Sequence, residues 1–115
     1  MELSYSSDHG WNILEISGDA SESDVIYWRN FRREFDWTPG TNVVVDATEL
    51  LGPSDAFVEV LMGLTADAHH RGGRLVLVGQ SRELRARICV MGVEGYIPTA
   101  MSVTQARTSL DVLDD

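Results

Sequence analysis

The chain contains no lysine, so its nine basic residues are all arginines, set against eighteen acidic residues. The formal net charge of −9 leaves no basic face with which to neutralise phosphates. This composition argues against binding to nucleic acid or to anionic membrane surfaces. The acidity is explained most simply by solubility or by a salt-adapted or GC-rich source, and attraction to a basic partner surface is the alternative.

Cysteine and long apolar runs are equally scarce. The single cysteine, Cys89, excludes an intrachain disulfide, and its place beside Ile88 in a predicted helix indicates a packed, inert thiol. No apolar run approaches the roughly 20 residues that a membrane-spanning helix needs. Residues 1–10 have neither the basic start nor the apolar stretch of a signal peptide. We therefore expect a cytoplasmic protein without membrane insertion.

Sequence motifs for catalysis are missing as well. The chain has no Gly-x-Ser-x-Gly elbow, Walker loop or dinucleotide fingerprint. His69 and His70 are adjacent, so on a helix they point about 100° apart and cannot chelate one ion as an i, i+4 pair would. Asp46 ends a predicted strand, a common ligand position in α/β sheets, although capping of the next turn is the simpler explanation. The sequence thus predicts a non-enzymatic protein with no metal site and no cofactor.

What the sequence does contain is a regular alternation of strand and helix patterns. Leu3–Ser6 and Trp11–Ser17 predict a hairpin, because polar turn residues separate two strand-like runs. Serine N-caps followed by apolar residues at helical spacing predict the helices. The remaining predicted elements are the helices Ser21–Phe35, Ser54–Arg71, Ser81–Met91 and Ser102–Leu113, and the strands Asn42–Asp46, Arg74–Val78 and Tyr96–Met101.

The order of these elements, β-β-α-β-α-β-α-β-α, defines a fold class. Strands that alternate with helices across short loops imply a largely parallel sheet with right-handed crossovers. Pro98 interrupts the last strand, which predicts an edge position. We therefore predict a single α/β domain over residues 1–115, with a mixed, mainly parallel sheet and about four helices.

Several local motifs, in this order, resemble the STAS domain family, the bacterial anti-sigma factor antagonists and their relatives. Gly18 and Asp19 follow the second strand, residues 71–81 (RGGRLVLVGQS) are similar to the family's fourth-strand segment, and residues 91–98 (MGVEGYIP) resemble its usual turn. The resemblance covers nearly the whole chain. It implies helices that cover mostly one face of the sheet.

The family's signature before the long helix, Asp-Ser-Ser/Thr-Gly-Leu, is replaced in this chain. Counting forward from Asp46 and backward from Gly72 gives a single register. In that register both positions at which family members accept phosphate lack a hydroxyl. The aligned residues are Ser54 for the aspartate, Asp55 and Ala56 for the two hydroxyl residues, and Phe57 for the glycine.

Three interpretations of this helix start stay open. Asp55 mimics part of the phosphate charge and holds one state, or Ser54 is a displaced phosphorylation site. Alternatively the site is not a switch, with Ser54 as N-cap and Asp55 as an acid suited to the positive end of the helix. Phe57 favours this last interpretation, because a large aromatic obstructs close backbone approach unless it anchors another partner.

The resemblance implies a protein-binding module in a partner-switching pathway, with an anti-sigma factor kinase as its partner. The alternative partner is a transporter subunit, because STAS domains also serve as small subunits of lipid-transporting ABC systems. Homodimer formation is left open. The expected contact residues are Gly18, Asp19 and Ser21 after the second strand, together with Pro53, Ser54, Asp55, Ala56 and Phe57.

Overall fold

The structure of the chain is a computed structural model that describes residues 2–8, 11–20, 26, 29–30, 40 and 42–106. Residues 26 and 29–30 are helical, in agreement with the predicted helix Ser21–Phe35, most of which lies outside the described residues. The predicted final helix is described only as far as residue 106, and residues 103–106 are helical.

A five-stranded sheet in the order β1-β2-β3-β4-β5 forms the centre of the fold. β1 runs antiparallel to β2, and every other neighbouring pair is parallel. The prediction of a mixed, mainly parallel sheet is therefore confirmed. The strands are β1 Glu2–Asp8, β2 Trp11–Asp19, β3 Asn42–Gly52, β4 Leu75–Val78 and β5 Thr99–Ala100.

After β3, two described helices connect parallel strands: α1 over Asp55–His70 joins β3 to β4, and α2 over Arg82–Val90 joins β4 to β5. Each begins after the serine that the sequence predicts as its N-cap, Ser54 for α1 and Ser81 for α2. Gly72 follows α1 with a φ of 75°, the left-handed conformation that glycine adopts most readily at the end of a helix. The helix boundaries therefore follow local capping chemistry.

Apolar side chains fill both faces of the sheet, but to different extents. The larger cluster lies between one face and the helices, where α1 buries Phe57, Leu61 and Leu64 at helical spacing. The smaller cluster lies on the opposite face and includes Trp11 and Ala106. The helices thus cover mainly one face, as the resemblance implies, while the segment after β5 contributes to the other.

Two strands differ in length from their predictions. β3 runs on to Gly52 instead of ending at Asp46, because residues beyond Asp46 keep pairing with β2 after β4 has ended. β5 is limited to Thr99–Ala100, since only Leu77 and Val78 of β4 pair with it. Its place at the end of the strand order confirms the predicted edge position.

Cys89 is exposed, so the prediction of a packed thiol is wrong. α2 turns Leu84 and Ile88 into the core, and the residue after Ile88 falls on the outward side of the helix. A hydrogen bond from the thiol to the Glu94 carboxylate is the main cause that raises the pKa of Cys89, and the negative charge of Glu94 adds to this shift.

Among the described residues, no helix combines the length and the apolar character needed to cross a membrane.

Candidate functional site

The end of β2 and the start of α1 lie side by side, as the sequence predicts. The long β3 carries the chain past the end of β4, where Gly18 pairs with Leu50 and Asp19 pairs with Gly52. The Ala20 N–H then donates to the Gly52 carbonyl oxygen at 2.9 Å. Ladder pairing therefore fixes the β2 end directly before the first turn of α1.

Asp19 and Gly52 fit together closely at this junction. A Cβ added at position 52 would lie 2.5 Å from Asp19 Oδ1, so the glycine leaves the space that this carboxylate occupies. The rest of Asp19 is exposed to solvent. Ser21, also predicted to contribute, lies outside the described residues.

Ser54 caps the first turn of α1. Its Oγ accepts a hydrogen bond from the Phe57 N–H at 3.2 Å, and its carbonyl oxygen accepts one from the Val58 N–H at 3.2 Å. Its backbone is extended, with φ −126° and ψ 164°, the usual conformation at a helix N-cap. The Ser54 side chain thus has a defined structural role as the N-cap of α1.

Asp55 in the first turn of α1 forms an ion pair with Arg87 of α2. Arg87 Nη1 donates to Asp55 Oδ1 across 2.8 Å, and the two side chains are 39% and 69% exposed, respectively. Arg87 Nε is buried and, within the described part of the chain, has no hydrogen-bond partner. The positive end of the α1 dipole and the Arg87 guanidinium both stabilise the negative charge on Asp55.

The other predicted residues of the helix start face inward. Phe57 is fully buried in the main core, Pro53 is buried, and Ala56 packs against the core from a partly buried position. Phe57 therefore cannot anchor a partner with its side chain, which corrects that interpretation of the sequence. The aromatic ring belongs to the main core.

Sequence reasoning missed two residues at this site. Leu51 is 72% exposed, because β3 alternates and its neighbour Leu50 points into the core. Two consecutive leucines in a strand would have revealed one outward side chain, had the strand been extended beyond Asp46. Arg87 lies 32 residues from Asp55, and no local pattern links them.

We refer to the exposed residues Asp19, Glu49, Leu51 and Asp55 as the β2–α1 surface. Leu51 is its apolar member: Glu49 precedes it by two residues in β3, Asp55 follows it by four residues, and Asp19 pairs with the next residue, Gly52. The surface combines one large apolar side chain with negative charge, a composition suited to contact with a protein that offers apolar and basic groups.

Other candidate residues have structural explanations. Asp46 Oδ1 accepts hydrogen bonds from the Thr48 N–H at 3.0 Å and from the Thr48 hydroxyl at 2.6 Å, which confirms the predicted turn cap. His69 and His70 are exposed in the last turn of α1, with ring centroids 6.5 Å apart. Among the described residues, no group of three or more His, Cys, Asp or Glu side chains is placed to hold a metal ion.

Comparison by sequence gives no match to a protein-family model or to a curated protein. Comparison by structure gives strong matches over almost the full length of both chains. A Moorella thermoacetica RsbS variant carrying a serine-to-glutamate substitution superposes with a TM-score of 0.80 at 16% identity, covering 99% of this chain and 98% of that one. The unphosphorylated anti-sigma factor antagonist SpoIIAA gives 0.76 at 12% identity, with 96% of each chain covered.

A chain from the stressosome, described as a signal integration and transduction hub, gives a TM-score of 0.75 at 18% identity. That match covers 96% of this chain and 98% of the stressosome chain. Together these matches define the architecture as that of anti-sigma factor antagonists and related regulators. The chain has the fold of a STAS domain.

Proposed function

We propose that the chain is a non-enzymatic, protein-binding regulator of the anti-sigma factor antagonist type, and that it binds its partner in one fixed state through the β2–α1 surface. The observation that carries this proposal is the Asp55–Arg87 ion pair. In the register proposed from the sequence, this carboxylate and its counter-ion stand at the first hydroxyl position of the family signature, which supports a fixed state.

Because of the ion pair, Asp55 is not equivalent to a phosphate mimic. A phosphoserine brings about −1.5 to −2 charges and three acceptor oxygens at neutral pH. Asp55 brings one charge, and one of its two oxygens accepts from Arg87 at 2.8 Å. The net charge at the helix start therefore resembles that of an unmodified site, which in this account is the state that binds the partner.

Ser54 is a poor replacement for the missing phosphorylation site. Its Oγ accepts the Phe57 N–H, and the residue is only partly exposed. A kinase would have to draw this hydroxyl out of the helix cap before transfer. Since Ala56 carries no hydroxyl and Phe57 is in the core, the helix start supports interpretation as a fixed surface instead of a switch.

The partner proposed here is an anti-sigma factor kinase that offers an apolar pocket for Leu51 and basic residues around it. Negative charge on Asp19 and Glu49 favours such a partner and speeds its encounter, so the association rate should fall as salt rises. A kinase of this kind would meet the chain in the cytoplasm, which is the location we propose for it.

An affinity capture from the native cells, read by mass spectrometry, tests this proposal with three matched baits. The wild-type chain and the Met101→Asp variant should recover an ATP-binding anti-sigma factor kinase, whereas Leu51→Asp should lose it. Met101 is the control because it is 87% exposed and follows β5, at the far side of the sheet from β2. Each substitution adds the same charge to an exposed apolar position.

Two results would contradict the proposal. Equal recovery of the kinase by all three baits would mean that the β2–α1 surface is not the binding surface. Recovery of ABC-transporter subunits by the wild-type chain would instead assign the chain to the alternative class, the small subunits of transporters.

A further inference from the structure

β1 is a long and regular edge strand. All seven of its residues pair with β2 without a register shift, and no strand of the described chain pairs with its outer side. Leu3 is half-buried and residues 4–7 are exposed. Among the strands that the structure describes, β1 is therefore an edge strand, the position at which a sheet can pair with a further strand.

This edge lacks the features with which proteins usually block edge pairing. It has no proline, no lysine and no bulge, and its length is typical of a central strand. Its only charged residues, Glu2 and Asp8, lie at its two ends, which leaves a neutral centre, LSYSS. In a chain of net charge −9, two copies meet with little repulsion along such a segment.

We infer that a second copy of the chain pairs antiparallel with β1, so that two five-stranded sheets join into one. A two-fold axis perpendicular to the sheet keeps each side chain on its own face, so opposed residues must belong to the same face. This symmetry leaves three registers with five or more paired residues, centred on Ser4, Tyr5 or Ser6.

Charge and packing select among these registers. Centring on Tyr5 would set Glu2 against the partner's Asp8 twice, and like charges directly opposite each other destabilise a sheet. Centring on Ser6 would pair residues 4–8 and leave Leu3 outside the interface. Centring on Ser4 pairs residues 2–6 without opposed charges, and it sets Leu3 against the partner's Tyr5 at two equivalent places.

The Ser4 register also extends the core. Leu3 and Tyr5 pair with Ile16 and Leu14 of β2, both members of the main core cluster, and Leu3 already packs against that cluster. The two Leu3–Tyr5 contacts would therefore continue one apolar layer across the two-fold axis. Aromatic–aliphatic cross-strand pairs of this kind stabilise antiparallel strands.

The arrangement has a consequence for binding that is independent of the function proposed above. β1 pairs antiparallel in the dimer, so the two β2–α1 surfaces point toward opposite ends of the joined sheet. A dimer of this kind holds two partner molecules apart and bridges them. The dimer itself requires only the β1 edge, so it stands or fails separately from the identity of the partner.

Sedimentation velocity on the purified chain tests the inference with a charge-swap pair. At high micromolar concentration, the wild-type chain should sediment as a species with twice the chain mass of 12.7 kDa. Ser4→Glu and Ser4→Lys should each weaken dimerisation, by roughly fivefold, because each sets like charges opposite one another at the axis. An equimolar mixture should restore the dimer, since Glu and Lys then face each other.

Ser7→Glu is the matched control, because Ser7 lies on the same strand but outside residues 2–6. It should leave dimerisation unchanged, and thermal unfolding of each variant separates loss of pairing from loss of fold. A monomeric wild-type chain overturns the inference. So does a dimer that responds equally to Ser4→Glu and Ser7→Glu, or a mixture that fails to restore pairing.

Discussion

Arg87 Nη1 donates a hydrogen bond to Asp55 Oδ1 across 2.8 Å and thereby ties the start of α1 to the last turn of α2. The charge on Asp55 is therefore matched within the protein. This relationship gives Asp55, which the sequence register predicts to replace a phosphorylation residue, a defined structural role. It also makes the two residues a suitable pair for measurement.

The ion pair should contribute little to stability. Both side chains are more than a third exposed, so solvent screens their attraction. A double-mutant cycle with Asp55→Asn and Arg87→Gln should give a coupling free energy of about 0.2–1 kcal/mol that shrinks as salt is added. Urea unfolding measures it, with Arg85→Gln as an exposed arginine control on the same helix. A coupling well above this range would show a pair shielded from solvent.

Phe57 should dominate the stability of the helix start. Replacing this fully buried ring with alanine should cost about 3–5 kcal/mol of unfolding free energy. Phe57→Gly, which recreates the signature residue, should cost about 1 kcal/mol more, because glycine disfavours the helix. Leu51→Ala is the exposed control and should stay within about 0.5 kcal/mol of wild type. A stable Phe57→Gly variant would contradict this account of the core.

Ser54 and Ser81 offer a comparison between two N-caps of similar geometry. Their Oγ atoms accept from Phe57 N and Leu84 N at 3.2 and 3.1 Å. Alanine at either position should lower the free energy of unfolding, measured by chemical denaturation, by about 1 kcal/mol. Ser54→Ala should nevertheless keep its affinity for the partner, as should Ser81→Ala. A selective loss of binding in Ser54→Ala would show that the hydroxyl itself contacts the partner or is modified.

Cys89 should react slowly with alkylating reagents at neutral pH, despite its exposure. The Glu94 carboxylate accepts the thiol proton's hydrogen bond and repels the thiolate, which raises the pKa of Cys89. Glu94→Ala removes both effects and should lower that pKa, so the pH profile of iodoacetamide labelling should move to lower pH. Glu83→Ala, an exposed acid at the other end of α2, should leave the profile in place. Identical profiles for all three proteins would exclude the Glu94 contact.

The fold was largely predictable because its signals are local. Serine caps, Gly72 and the apolar runs of β3 and β4 mark their elements without reference to distant residues. The end of β3 was not predictable in this way. Beyond Asp46 the strand has a neighbour on one side only, so Thr48 and Glu49 are exposed and the sequence there reads as a turn.

The candidate site was predictable in position but not in detail. The family resemblance led us to expect the β2 end and the α1 start in one surface, and the pairing of β2 with β3 brings them together. Phe57 is buried because of the orientation of α1 on the sheet. Asp55 forms its ion pair with Arg87 because of the way α2 packs beside α1. Both depend on tertiary packing, which a register against a family signature does not contain.

The most direct test of the central claim is the intact mass of the chain when it is isolated from its native cells in complex with its partner. A fixed binding surface predicts that the bound and the free chains have the same mass, without phosphate on Ser54. A substantial free fraction heavier by one phosphate group, mapped to Ser54 and absent from the bound fraction, would contradict the claim and establish a displaced switch.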